Sequence, residues 1–270
     1  MKHFPHLLRV SALFVGLSLV SACGEKAQKA ESSLDHQTRK VVASTAWTAA
    51  FADIAGADSI DVIAPASLQH PPEYELTVED LLRIRSCDLF VYAKFDRMMK
   101  TIGESVESVP MHPIECKNSL ETVRAETASL AEVLGTQALQ RERMASFEAA
   151  LQDAAKDVER RGWKKTRVYC HAMQVPLAKD LGFDIVATFG PAPVTSADLV
   201  RVREMGLDLI IDNVHNPIAA PLCELRPDVP VAIWRNFPDE VTRGALEHLV
   251  RANVQTLPQR RDSQNAPESL

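Results

Sequence analysis

The chain carries none of the short motifs that announce catalysis. Its 270 residues contain no G-x-S-x-G elbow, no H-E-x-x-H helix, no Walker A loop and no G-x-G-x-x-G turn. After the N-terminal segment there is no second long apolar run, so nothing else in the sequence is suited to span a bilayer. Positive charge is also scarce. Thirty Lys and Arg stand against 36 Asp and Glu, a formal net charge of −6, which argues against nucleic acid as a partner. Cysteine is sparse and irregularly spaced. Cys87, Cys116, Cys170 and Cys223 form no C-x-x-C pair, which argues against a zinc knuckle. In an oxidising compartment these four thiols could pair in three ways; buried free thiols are the other reading.

What is present begins with an export signal. Lys2 and Arg9 form a positive n-region, and Val10 to Val20 is an apolar h-region too short to span a bilayer. Ser21-Ala22 and Cys23 follow. Val-Ser-Ala-Cys resembles a bacterial lipobox, in which the cysteine is lipidated and becomes the new N-terminus; an ordinary cleaved signal peptide is the alternative. Both predict export, with residues 1–22 as the signal and 23–38 as a lipidated N-terminus and polar tether. Removal of the signal takes away Lys2 and Arg9 and no acid, so the net charge moves from −6 to −8. Residues 257–270, rich in Gln, Arg, Ser and Pro, read as a disordered tail.

Between tether and tail, strand and helix patterns alternate. Strand-like runs occur near 41–44, 60–64, 88–92 and 110–116, and again at 167–170, 184–187, 207–211 and 229–233, with helical stretches between them and at 240–252. Such alternation predicts parallel sheets built from βαβ units. The expected fold class is therefore α/β, with two lobes at 39–118 and 163–256, each a mostly parallel four-stranded sheet with helices. Between them, residues 119–162 hold no strand pattern and almost no Gly or Pro. Ala138 to Arg161 is about 24 residues of strong helix formers, which reads as one long rigid helix joining the lobes.

Histidine placement points to the chemistry. In open α/β sheets ligands bind beyond the carboxyl ends of the strands. His70, His171 and His215 each stand just after a strand run, whereas His112 lies in or before a strand and His248 in a helix. His70 is followed by Pro71-Pro72, which stiffens its loop. Thr77 and Asp80 then form a capping-box pattern that starts a helix. A neutral imidazole on a stiff loop is a good transition-metal ligand. Each of the three is otherwise a hydrogen-bonded loop or core histidine. Asp96, after the third strand, is the candidate fourth ligand, with Glu73, Glu75 and Asp239 as weaker options. Three imidazoles and one oxygen favour Zn²⁺ in a roughly tetrahedral site, with Mn²⁺ second.

With these residues in view, the chain resembles the solute-binding proteins of bacterial zinc and manganese ABC transporters. His70 with Tyr74-Glu75 and Asp80 is similar to the family's His-x-Tyr-Glu-Pro-Thr-Pro-x-Asp segment, although the family histidine more often stands where this chain has Pro72. His171-Ala172-Met173 is similar to the family's His-Asp-Ala-Phe histidine. Asn118-Ser119-Leu120, Leu130 to Thr136 and Asn236-Phe237-Pro238 also resemble family stretches, and Asp96 stands where the family often has an acidic residue. The family's Asp-Pro-His-x-Trp histidine and its His-rich acidic loop are absent. The resemblance implies a non-enzymatic, lipid-anchored monomer facing the periplasm or exterior, which carries metal to a permease. A siderophore- or corrinoid-type binding protein and a surface adhesin with a structural metal are the alternatives.

Overall fold

Alternation of side chains along short strands decides the layers of this molecule. In the computed structural model, which describes residues 39–70, 73–102, 106 and 108–260, Val41 faces one core and Val42 the opposite one. Leu89 and Val91 share the first core and Phe90 the second. The same period of two runs through Val168, Tyr169 and Cys170 and through Leu209, Ile210 and Ile211. The signal, the Cys23 junction and the tether lie outside the described residues.

Strands β1 (Lys40–Ala43), β2 (Ser59–Val62), β3 (Leu89–Ala93) and β4 (Met111–Ile114) form one parallel sheet in the order β2-β1-β3-β4. Strands β5 (Arg167–His171), β6 (Asp184–Phe189), β7 (Leu209–Asn213) and β8 (Val231–Trp234) form a second in the order β6-β5-β7-β8. The helices are α1 (Ala46–Ile54), α2 (Val78–Arg85), α3 (Met99–Ile102), α4 (Leu120–Leu134), α5 (Gln137–Arg160), α6 (Val175–Asp180), α7 (Ser196–Glu204), α8 (Ala220–Leu225) and α9 (Ala245–Gln255). The α/β reading with two four-stranded parallel sheets is therefore what the chain adopts. Both halves also repeat the same local devices. Asp88 and Asp208 accept the first backbone N–H of β1 and β5, at 2.7 and 2.8 Å. Capping boxes at Thr77/Asp80 and Thr195/Asp198 start α2 and α7.

The long connector is a pair of helices. Gly135 takes a left-handed conformation (φ 76°) that ends α4, and α5 folds back against it. At about 1.5 Å per residue, the 24 residues of α5 span roughly 36 Å. Along that length Met144, Phe147, Leu151, Ala154 and Val158 join a core that also takes in α1, the inner faces of both sheets and Leu246, Leu249, Val250 and Val254 of α9. Each sheet buries its other face under its own half, around Phe90 and Ile84 in the first and Tyr169 and Ile210 in the second. Gly56 (φ 101°) lets α1 end against the start of α5. A Cβ there would stand 2.7 Å from Thr136 Cβ, and Thr136 Oγ1 donates to Ala55 O at 2.6 Å.

Some expectations shift. The final helix starts at Ala245 rather than near 240, because Gly244 (φ 74°) turns the chain and gives its N–H to Asp53 Oδ2 at 2.9 Å. The segment expected as a disordered tail starts packed: Leu257 is buried and Pro258 O accepts from Trp163 Nε1 at 3.0 Å. The four thiols are unbonded, with Cys87, Cys116 and Cys170 buried.

Charge is buried where the connector meets the first half. Arg143 of α5 donates to Asp53 O, Asp53 Oδ1 and Ala57 O at 2.7–3.2 Å and to Asp58 Oδ1 at 2.6 Å. Removing Arg143 takes the cation from the buried Asp53 carboxylate, while Asp58 is half-exposed and keeps Arg243. Arg143→Met is expected to lose about 3–5 kcal/mol of unfolding free energy in denaturant titrations. A loss below about 1 kcal/mol would show that the fork contributes no more than a surface pair.

Candidate metal site

Because all eight strands are parallel within their sheets, the loops at their carboxyl ends carry the candidate residues, and those of the two halves meet. Trp47, at the start of α1, donates from Nε1 to Asn118 Oδ1 at 2.8 Å, and Asn118 Nδ2 donates to Asn236 O at 2.8 Å. The Trp47 ring packs on Phe237 at 5.8 Å and on Phe95 at 6.0 Å. Phe237 in turn stacks on His215, with centroids 3.5 Å apart and planes 24° from parallel. Aromatic faces thus run from the first half into the second and end on an imidazole.

The two histidines of the second half differ in tautomer, and their partners decide it. His215 Nδ1 lies 3.2 Å from Gln69 O. A carbonyl only accepts, so Nδ1 carries the proton and Nε2 holds a bare lone pair, buried and without a hydrogen-bond partner. His171 is the opposite. Its Nδ1 accepts from Met173 N at 3.2 Å, so Nε2 carries the proton and donates to Asn216 Oδ1 at 2.9 Å. The ring is fully buried, edge-on to Phe189 at 5.5 Å. Gly190 makes room for it, since a Cβ there would stand 2.6 Å from Nε2. For His171 to ligate through Nε2, its proton must move to Nδ1 and the Met173 amide must turn away.

His70 is exposed, and its carbonyl accepts from Glu73 N at 3.0 Å. Its loop is braced by Asp80 Oδ2, which accepts from Tyr74 Oη, Thr77 Oγ1 and Thr77 N at 3.0, 2.7 and 2.9 Å. The preceding residue supplies the Gln69 carbonyl, and the His70 ring is near enough that its positive charge would oppose protonation of His215. The structure therefore sets the His70 loop, through the Gln69 carbonyl, against His215. It leaves Asp96 on the first half, where Oδ2 accepts from Ser44 Oγ and from Ala93 N at 2.8 Å while Oδ1 is buried without a partner. Burial raises the pKa of that carboxyl. Among the described residues, no three His, Cys, Asp or Glu side chains lie close enough together to hold a metal ion. His112 lies in β4, and His248 pairs with Glu240 at 2.8 Å. Asn216 and Gln174, both engaged here, escaped the sequence reading because side-chain amides have no spacing signature.

No protein-family model and no curated protein matches the sequence. Among solved structures, the chain is similar to the solute-binding protein FpvC of Pseudomonas aeruginosa in complex with Ni²⁺, at 17% identity and a TM-score of 0.64 over 81% of this chain and 95% of that one. It is similar to the laminin-binding protein Lmb of Streptococcus agalactiae, described as having adhesin and metal-transporting activity, at 14% identity and a TM-score of 0.60 over 80% and 97%. A point mutant of a periplasmic metal-binding protein from Candidatus Liberibacter asiaticus, bound to Mn, matches at 16% identity and a TM-score of 0.58 over 81% and 98%. At these identities the likeness defines the fold. The chain has the fold of the metal-binding solute-binding proteins.

Burial lowers the His215 pKa from 6.5 to about 4; the Gln69 and Phe237 carbonyls oppose this, and Arg235 and His70 add to it. An imidazole that takes up its proton near pH 6.5 when unfolded and only near 4 when folded makes the unfolded state bind more protons in that window. Stability is then complete above about pH 6.5 and falls as pH drops toward 4, by on the order of 2–3 kcal/mol. His215→Gln is expected to flatten this slope in denaturant titrations run from pH 7 to 4. An unchanged slope would place the acid sensitivity elsewhere.

Proposed function

We propose that this chain is an extracytoplasmic solute-binding protein that captures a divalent transition metal between its two halves and delivers it to an ABC permease. The observation that carries the reading is His215. A neutral imidazole with a bare, buried Nε2, oriented through Nδ1 by a carbonyl of the His70 loop, is a metal ligand with its outer partner already in place. The Ni²⁺ and Mn complexes among proteins of the same fold support it. His70 would reach the ion from the first half and His215 from the second. His171 joins them after the proton shift described above, and Asp96 is the oxygen donor of the first half. The ion follows from the donor set: three imidazoles and an oxygen favour zinc, and a larger share of oxygens favours manganese. Strand-end loops that offer ligands, without a motif for substrate activation, suit carriage rather than catalysis.

Elemental analysis of the purified protein, then titration of the apo form with Zn²⁺ and Mn²⁺, tests this reading. His70→Ala, His171→Ala and His215→Ala are each expected to weaken binding at least about tenfold while the fold survives. His112→Ala and His248→Ala should bind as the parent does. If the controls lose affinity and the three keep it, the strand-end loops are not the site. If the apo chain is unfolded and folds only on adding metal, the ion is structural, as in the adhesin alternative.

The Val-Ser-Ala-Cys junction assigns Cys23 as the lipidated residue of the mature protein, which would act as a monomer held at the membrane near its permease. Cys23→Ala is expected to move the protein out of the membrane fraction or leave it unprocessed. Fractionation identical to the parent would remove the lipid assignment.

A further inference from the structure

Orphaned polar atoms at the strand ends share one sign. Asp96 Oδ1 after β3, Gln174 Oε1 after β5, His215 Nε2 after β7 and Asn236 Oδ1 after β8 are all buried, all acceptors, and all without a hydrogen-bond partner. The orphaned donor nearest in sequence, Trp234 Nε1, belongs to β8 itself, on a ring set edge-on to Phe183 at 5.8 Å. Buried acceptors are costly to leave bare, and a crevice made for an anion would present N–H groups instead.

Two of these acceptors, on Gln174 and His215, belong to one local network of the second half. Gln174 Nε2 donates to Asn213 Oδ1 at 3.3 Å and to Trp234 O at 3.2 Å, and His215 N donates to the same Asn213 Oδ1 at 3.1 Å. Both partners of the Gln174 amide nitrogen are oxygens, so the amide cannot be reversed and its Oε1 is the free end. Asn236 precedes Phe237, whose ring covers His215, and its carbonyl is held from the first half by Asn118. Gln174, His215 and Asn236 are each more than nine-tenths buried. Asp96, held by Ser44 and Ala93, stands outside this network.

Resting on the metal-capture reading above, we propose that the side-chain amide oxygens of Gln174 and Asn236 join His215 Nε2, beside His171, as the second half's donors to the ion. With His171 the second half's donors are neutral and carry two oxygens for two nitrogens. Amide carbonyls suit harder ions such as Mn²⁺, while imidazoles suit Zn²⁺, so the set reduces the advantage zinc would have at a three-imidazole site and admits manganese. A neutral set also holds the ion by dipoles rather than by carboxylate charge, which suits a carrier that must release its cargo.

Isothermal titration of the apo protein with Mn²⁺ and with Zn²⁺ separately tests the assignment, with parent, Asn236→Ala, Asn236→Asp, Gln174→Met and His215→Ala compared. Asn236→Ala is expected to weaken Mn²⁺ at least about tenfold and Zn²⁺ by less. Asn236→Asp, which restores an acceptor and adds charge, should recover or exceed the parent's Mn²⁺ affinity. Gln174→Met should follow Asn236→Ala; if it does not fold, the two Asn236 variants decide. Parent-like binding of both ions by Asn236→Ala, with His215→Ala impaired, overturns the amide ligands and leaves the metal-capture reading intact. A folded parent that binds neither ion overturns both.

Discussion

One shared hydrophobic core holds this molecule together. The inner faces of both sheets, α1, the α4–α5 pair and α9 bury their apolar side chains against one another in a single cluster. Close-packed interiors transmit displacement rather than absorb it. A core common to both halves therefore sets how their strand-end loops face each other. The Arg143 fork reinforces the junction, since Asp53 receives Arg143 of the connector on one side and the Gly244 amide of the second half on the other. A wide hinge motion would have to break this packing and bare a buried charge.

Above that core, a few loops of the two halves meet. Trp47, Asn118, Asn236 and Phe237 tie the halves by hydrogen bonds and ring contacts, and the Gln69 carbonyl adds a link to His215. These contacts orient the candidate ligands as well as joining the halves. The carbonyl of a loop in one half decides which nitrogen of an imidazole in the other keeps its lone pair, an outer-partner effect that matters as much to a metal site as its ligands do. His171 and His215, chosen for the same reason in the sequence, are thereby given opposite tautomers by their neighbours.

The repeated order of strands and the matched caps at Thr77 and Thr195 give both halves the same plan, yet their loops differ in chemistry. The first half supplies an exposed histidine on a braced loop and a buried carboxyl of raised pKa. The second supplies buried imidazoles and orphaned amides. An ion held as proposed would meet soft donors and hard ones together.

The sequence by itself determined the architecture. Short apolar runs such as Leu207 to Ile211, separated by amphipathic helices, can bury both faces only as parallel strands covered by helices, and the Gly-poor stretch from Ala138 to Arg161 can only be a helix. It also placed His70 and His215 at strand ends, because the end of an apolar run marks where a loop begins. Tertiary structure alone decided the rest. Whether an imidazole nitrogen is bare depends on which carbonyl or amide from a distant segment stands beside it, and Gln69 and His215 are separated by 146 positions. Whether Gln174 and Asn236 count as site residues depends on burial without a donor, a condition local spacing does not encode. Hydrophobic pattern is periodic and so is written along the chain; hydrogen-bond satisfaction is a relation between segments that meet only after folding.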